Sequence, residues 1–218
     1  MVMVPKTPAS LKIRKKTLTA SSKAWVARQL RDPYVLKAQA EGFRARAAYK
    51  LLEIDEKFHV LKRGQSVVDL GCAPGSWCQI AAARGCRVVG IDLLQCDALA
   101  GVTFIEDDFT TDEGYAKVKD AMGSEFVDVV LCDMAANTVG HKETDGLRTQ
   151  ALSELAVDFA MSHLRVGGNF CTKLFMNGYE AEAKKQLAAK FERIQLYKPE
   201  SSRAESREIF LVAIGRKA

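Results

Sequence analysis

Asp69, Asp92 and Asp108 each stand at or just past the end of a short apolar run, and each is followed by a turn. The first run continues Val68-Asp69-Leu70-Gly71-Cys72-Ala73-Pro74-Gly75-Ser76-Trp77. Gly71 and Gly75 stand four apart and Pro74 stiffens the loop. The loop lacks the GxGxxG spacing that brings backbone against a pyrophosphate at a helix N-terminus. An acid as close as Asp69 disfavours a phosphate and suits a ligand amine. Asp92 lies 21 residues after Gly71, where a carboxylate can accept both hydroxyls of a ribose. The third run ends Glu106-Asp107-Asp108-Phe109, an acid for an exocyclic amine beside a ring that offers a stacking face. Ribose, adenine amine and no phosphate describe S-adenosylmethionine better than a nicotinamide dinucleotide. Singly, a glycine loop or a strand-end acid is an ordinary turn. Three acids at three successive strand ends are the stronger signal.

Two further residues could act on a substrate. Asp133 follows the apolar run that closes Val130-Leu131-Cys132. Lys173 lies inside Cys171-Thr172-Lys173-Leu174-Phe175, where a buried ammonium costs stability unless partners meet it or it leaves the core at the strand end. Lys50, on a helix ahead of the first strand, and Glu208, at the start of the last, would each be read alone as surface charges.

The elements that must position these residues follow from periodicity. Asp32-Pro33 starts a helix that should end near Gly42, and a second runs from Arg44 to Phe58. Strands are expected at Ser66–Leu70, Arg87–Ile91, Val102–Ile105, Phe126–Cys132, Asn169–Phe175, Arg193–Tyr197 and Glu208–Ile214. Helices are expected at Gly75–Arg84, Glu113–Met122, Leu147–Leu164 and Tyr179–Phe191. The first five strands are almost continuously apolar, as strands buried on both faces are. The alternation predicts an α/β fold, a seven-stranded sheet with helices on both faces. The last two strands, with no helix between them, should pair antiparallel and make the sheet mixed.

The 218 residues carry a net charge of +5, unevenly placed. Residues 1–50 hold 12 Lys/Arg and 2 acids, and the remainder holds 20 and 25. A basic front end on a mildly acidic body suggests a polyanionic partner. Residues 1–22 read as a flexible basic arm and 23–218 as one domain with a helical lead-in, including a short basic helix around Trp25. The acid-free stretch 1–31 also fits an organelle transit segment. No apolar run approaches the ~20 residues of a membrane span. The six cysteines form no CxxC pair, so free thiols in a reducing, cytoplasmic setting are expected. His59, His141 and His163 have no metal-ligand spacing, and no metal site is expected.

These residues make the chain resemble the FtsJ-type (RrmJ-type) ribose 2′-O-methyltransferases over about residues 21–217. The likeness rests on Ser22-Lys23-Ala24-Trp25, Phe43 to Leu51, the Asp69–Trp77 loop, Asp92-Leu93-Leu94, Asp133-Met134, Lys173 and the tail Lys198 to Glu208. The family is marked by a Lys-Asp-Lys-Glu tetrad, matched in order and local context by Lys50, Asp133, Lys173 and Glu208. The resemblance implies a Rossmann-like S-adenosylmethionine-dependent methyltransferase fold. It implies cofactor contacts at Gly75, Trp77, Asp92, Asp108 and Asp133, to which the loop reading adds Asp69, Gly71 and Phe109. The implied substrate is an A-loop uridine of large-subunit ribosomal RNA, within the assembled 50S subunit, and a monomer is expected. The family often has Pro where Ala136 stands, Gly where Asp107 stands and a basic residue where Glu205 stands. These departures touch the loop after Asp133, the charge beside the adenine pocket and a local basic surface, but not the tetrad.

The reaction so implied is in-line methyl transfer to a 2′-oxygen, with Lys173 as the base. Free lysine holds its proton up to a pKa of about 10.4, so such a base needs neighbours that favour its neutral form. Asp133 and Glu208 would orient the two lysines. Lys12, Arg14, Lys15, Lys16, Lys23, Arg28, Arg31, Arg44 and Arg46 are candidate phosphate contacts, which position RNA without reading bases. Three rival readings are a related enzyme acting on tRNA or mRNA caps, a non-catalytic rRNA-binding assembly factor, and an NAD-linked oxidoreductase.

Overall fold

The structure, a computed structural model, describes residues 32–135 and 142–218. The expected arm, the helix around Trp25 and the cations Lys12, Arg14, Lys15, Lys16, Lys23, Arg28 and Arg31 lie outside the described residues, as do Ala136 and His141.

Helix α1 (Pro33–Glu41) begins and ends as its sequence dictates. Asp32 accepts from the Tyr34 N–H, Pro33 takes the first turn and Gly42 closes it at φ 77°. Helix α2 (Ala48–Phe58) starts four residues later than periodicity suggested. The Arg44 N–H goes to the Gln79 side chain and the Ala47 carbonyl accepts from the Trp77 indole, so residues 44–47 are spent as a tertiary link.

The strands are β1 (Ser66–Leu70), β2 (Arg87–Asp92), β3 (Val102–Glu106), β4 (Val127–Cys132), β5 (Leu164–Phe175), β6 (Phe191–Tyr197) and β7 (Glu208–Arg216). They form one sheet in the order β3-β2-β1-β4-β5-β7-β6. β1 to β5 are parallel, and β7 runs antiparallel between β5 and β6. Strand β5 begins five residues before the expected Asn169, with a register shift against β4 between Val127 and Val129. The helices α3 (Ser76–Ala83), α4 (Asp112–Met122), α5 (Lys142–His163) and α6 (Tyr179–Leu187) connect the strands. Helix α5 begins five residues before the apolar pattern does, because its first turn lacks an apolar stripe to announce it. Helix α6 stops short of Phe191, which is buried as the first residue of β6.

Two apolar layers cover the sheet. Leu51, Ile54 and Phe58 of α2 and Trp77 and Ile80 of α3 pack on one face, against Val67, Val129 and Phe210. Val118 of α4, Phe159 of α5 and Leu187 of α6 pack on the other, against Val68, Phe170 and Leu211. All six cysteines are free thiols, five of them buried. Among the described residues no helix is long and apolar enough to cross a membrane.

The chain order reverses beside β1: the sheet grows outward through β2 to β3, then resumes on the other side at β4. The crevice beyond the carboxyl ends of β1 and β4 is where such a fold binds ligands.

Candidate active site

A cavity of about 380 Å³ opens at that crevice. Its walls include Gly71 and Ala73 after β1, Asp92, Leu93 and Leu94 after β2, Asp108 and Phe109 after β3, and Asp133 and Met134 after β4. Asp92 shapes two walls at once, accepting the Ala73 N–H at 2.9 Å with one oxygen and the Leu94 N–H at 3.0 Å with the other. Asp108 accepts from the Thr110 backbone and hydroxyl at 2.9 and 2.7 Å. The additional acid Asp107 is answered by Lys117, whose ammonium donates to it and holds its carboxyl below the usual range. Gly71 is required by space as well as by its φ of 76°: a Cβ there would come 2.4 Å from Met134 Cγ.

Five of the eight expected cofactor residues, Gly71, Asp92, Asp108, Phe109 and Asp133, line this cavity. Asp69, Gly75 and Trp77 do not. Gly75 faces Arg44 and Phe104. Trp77 is 2% exposed, packs 5.7 Å from Phe210 and donates its indole N–H to the Ala47 carbonyl at 2.8 Å. Sequence reasoning missed the contributions of Leu93 and Leu94, although two leucines directly after a strand-end acid, both exposed here, were a readable sign.

Asp69 is sealed below the glycine loop, where one oxygen accepts the Cys78 thiol at 3.1 Å. Its other oxygen has no partner among the described residues. Burial raises its pKa to about 7 against the Cys78 hydrogen bond, with Asp133 and Asp92 adding repulsion. The protonated acid is therefore favoured by folding. The stability it contributes is complete below about pH 4 and is lost as pH rises through about 7, a difference of up to about 4 kcal/mol. Denaturant midpoints of the native protein should fall between pH 5 and pH 8 relative to those of Asp69→Asn. Parallel profiles would refute the assignment.

The four candidate catalytic residues, scattered over 158 residues of sequence, meet beside the cavity. Lys173 Nζ donates to the Asp133 carbonyl at 2.7 Å and to Asp133 Oδ1 at 2.9 Å. Lys50 Nζ lies 3.8 Å from Asp133 Oδ2 and 3.0 Å from Glu208 Oε2. The sheet explains the meeting: β4 ends beside Thr172, β7 begins opposite Phe175, and α2 carries Lys50 over the Phe210 ring. Lys173 is buried. Burial works to raise the Asp133 carboxyl, but the Lys173 and Lys50 ammonium groups outweigh it and hold the carboxyl below its ordinary range. The residue that read as a costly lysine in an apolar strand thus has its partner.

A second cavity, about 400 Å³, lies on the far side of the tetrad and is lined by Arg46, Lys50, Arg203, Ser206 and Glu208 among others. Arg46 and Arg203 share one carboxylate, Asp32 Oδ2, at 2.9 and 3.1 Å. Two guanidiniums thus meet one acid at this rim, which Glu205 also lines. Arg203 escaped the sequence reading, and its only signal was the polar segment before Glu208. The tetrad therefore divides two cavities. Asp133 faces the first, lined by acids, and Lys50 and Glu208 face the second, edged with arginine.

The family model of the FtsJ-like methyltransferases matches residues 43–216, which include the whole tetrad and both cavities. The chain belongs to the FtsJ-like methyltransferase family. Curated FtsJ-like relatives named ribosomal RNA large subunit methyltransferase E agree closely. That of Maricaulis maris is 51% identical over 91% of this chain and 71% of its own length, and that of Acidiphilium cryptum 50% identical over 89% and 87%. A Plasmodium falciparum structure described as a ribosomal RNA methyltransferase superposes with a TM-score of 0.71 at 30% identity, over 80% of this chain and 98% of that one. A Burkholderia thailandensis N1-methyltransferase solved with S-adenosylhomocysteine shares the fold alone, with a TM-score of 0.50 at 17% identity over 94% of both chains. This FtsJ-like chain is accordingly a methyltransferase with the Rossmann-like α/β fold of the S-adenosylmethionine-dependent enzymes.

Proposed function

We propose that this protein transfers a methyl group from S-adenosylmethionine to a ribose 2′-oxygen of large-subunit ribosomal RNA, the acceptor being an A-loop uridine presented by the assembled 50S subunit. In this reading it works as a monomer in the cytoplasm. The observation that carries the proposal is the position of the tetrad between a donor cavity and an acceptor cavity.

The first cavity suits the cofactor by its chemistry. Its lining residues, among those described, include Asp92, Asp107, Asp108 and Asp133 and no lysine or arginine. Such a wall favours a cationic ligand and offers nothing to a pyrophosphate, which weighs against a nicotinamide dinucleotide. Each Asp92 oxygen keeps a lone pair beyond its backbone hydrogen bond and can accept a ribose hydroxyl. Asp108 and Phe109 would receive the base. When bound, S-adenosylmethionine supplies an electrophilic methyl on a sulfonium.

The chain's own residues do the rest. Positioning provides most of the acceleration, because acceptor oxygen and methyl carbon must meet in line at about 3–3.5 Å. Lys173, held as an ammonium by two bonds to Asp133, first releases its own proton to solvent when cofactor and substrate are both in place, and the neutral amine then receives the proton of the 2′-hydroxyl. Lys50, held between Glu208 and Asp133, fixes the acceptor ribose from the other side. Arg46 and Arg203 bring positive charge to the rim, where an RNA backbone would enter.

Incubation with methyl-labelled S-adenosylmethionine and, in parallel, intact large subunits, free rRNA and tRNA tests the whole reading. The label should map to one 2′-O-methylated uridine of the large-subunit RNA, with intact subunits the best substrate. Label on tRNA alone would move the enzyme to another substrate, and none on any RNA would defeat the proposal.

A further inference from the structure

Arg44 performs a task in the fold that its place among basic residues did not suggest. Its guanidinium spans two loops: Nη1 donates to the Pro74 carbonyl at 3.1 Å and Nη2 to the Ala98 carbonyl at 3.0 Å. The group rests on the Phe104 ring, with Cζ 5.4 Å from the centroid. Gly75 makes room for it, since a Cβ there would come 2.8 Å from Nη1 and 3.0 Å from the ring edge. The base of the side chain is anchored as well. The Arg44 N–H donates to Gln79 Oε1 at 3.0 Å, and the same amide donates to the Gly42 carbonyl at 2.9 Å.

The two loops so tied are two walls of the donor cavity. Gly71 and Ala73 belong to one, and Asp92, Leu93 and Leu94 to the other. The two walls are also joined by the Asp92–Ala73 hydrogen bond and by the Cys72 and Cys96 sulfurs, 3.9 Å apart. Arg44 adds a further tie, from Pro74 to Ala98. A planar fork with fixed donors can reach two carbonyls and lie flat on a ring at once, and an ammonium cannot.

We propose that Arg44 is a positioning residue for the cofactor, setting the spacing between the glycine loop and the loop after β2, and is not a phosphate contact for RNA. The inference rests on the cofactor reading above. Loops that lack the clasp must be ordered at the moment of binding, and that cost falls on affinity.

The test compares full-length Arg44→Met and Arg44→Lys with the native protein. S-adenosylmethionine is titrated calorimetrically, steady-state kinetics are run in cofactor and in ribosomal RNA, and RNA affinity is followed over a salt series. Both variants should raise the cofactor Kd and KM by about 10-fold, roughly the effect of one lost clasp. Turnover at saturating cofactor and the salt slope of RNA binding should stay unchanged. Phe104→Leu should shift the cofactor KM less, and the double variant should be no worse than Arg44→Met, because ring and guanidinium act together. Unchanged cofactor affinity with a salt slope reduced by about one would make Arg44 a phosphate contact and overturn the proposal. Restoration by lysine, or a fall in Tm without a change in cofactor KM, would overturn it too. If the native protein failed to bind S-adenosylmethionine, the cofactor reading would fall instead.

Discussion

Lys173→Met is expected to lower kcat by about 10²–10⁴-fold, the range for loss of a positioned proton acceptor, while S-adenosylmethionine binding stays within a few-fold. The side chain is absent from the lining of the first cavity, and Asp133, which does line it, keeps Lys50 at 3.8 Å. The substitution also takes from Asp133 the nearer of its two cations, 2.9 Å against 3.8 Å. Breaking a buried pair leaves a charge without its partner and costs about 3–5 kcal/mol, reduced here because Lys50 remains. The variant should therefore melt earlier and be assayed well below its midpoint. Single-turnover kinetics with cofactor prebound, alongside a calorimetric cofactor titration, separate the two effects. Near-normal turnover with the cofactor bound would remove Lys173 from the proton's path.

The second large effect contradicts helix propensity. Gly114 lies in the first turn of α4, where Ala should stabilise a helix by about 1 kcal/mol. A Cβ at Gly114, however, would come 2.0 Å from the Asp108 carbonyl oxygen and 2.6 Å from its carbonyl carbon. These are backbone atoms, so no rotamer change relieves the contact, and the 107–109 turn must shift. Gly114 N–H also satisfies the Thr111 cap at 3.1 Å, which fixes the glycine against that turn. Gly114→Ala should cost about 1–3 kcal/mol as overpacking and displace Asp108 and Phe109 from the cavity. Cofactor affinity should fall by at least about 10-fold, about 1.4 kcal/mol. A thermal melt and a cofactor titration check both parts, and a stabilised variant with native affinity would refute the argument.

The sheet was legible because β1, β2 and β4 are buried along nearly their whole length and so read as unbroken apolar runs. The same reasoning placed Asp92, Asp108 and Asp133 at strand ends, where the cavity forms. Lys50 and Glu208 were opaque on their own. What sets them apart from surface charges is a 3.0 Å contact with each other across 158 residues, and no local pattern encodes that distance. Arg44 and Trp77 have contacts that no local pattern announces: the guanidinium of Arg44 reaches two carbonyls and the indole of Trp77 a third, each on a residue 30 or more positions away. Gly114 gave no signal because its constraint comes from the backbone of another turn.

The antiparallel course of β7 has a practical consequence. The strand begins at the rim of the second cavity with Glu208 and runs away from it, so the chain beyond Arg216 leaves from the opposite edge of the sheet, where the Lys217 N–H is held by the Lys190 carbonyl. A fluorophore or surface linker joined after that point would hang clear of both cavities. Immobilised there, the protein would turn its arginine-edged rim to solution, open to a particle as large as the proposed substrate.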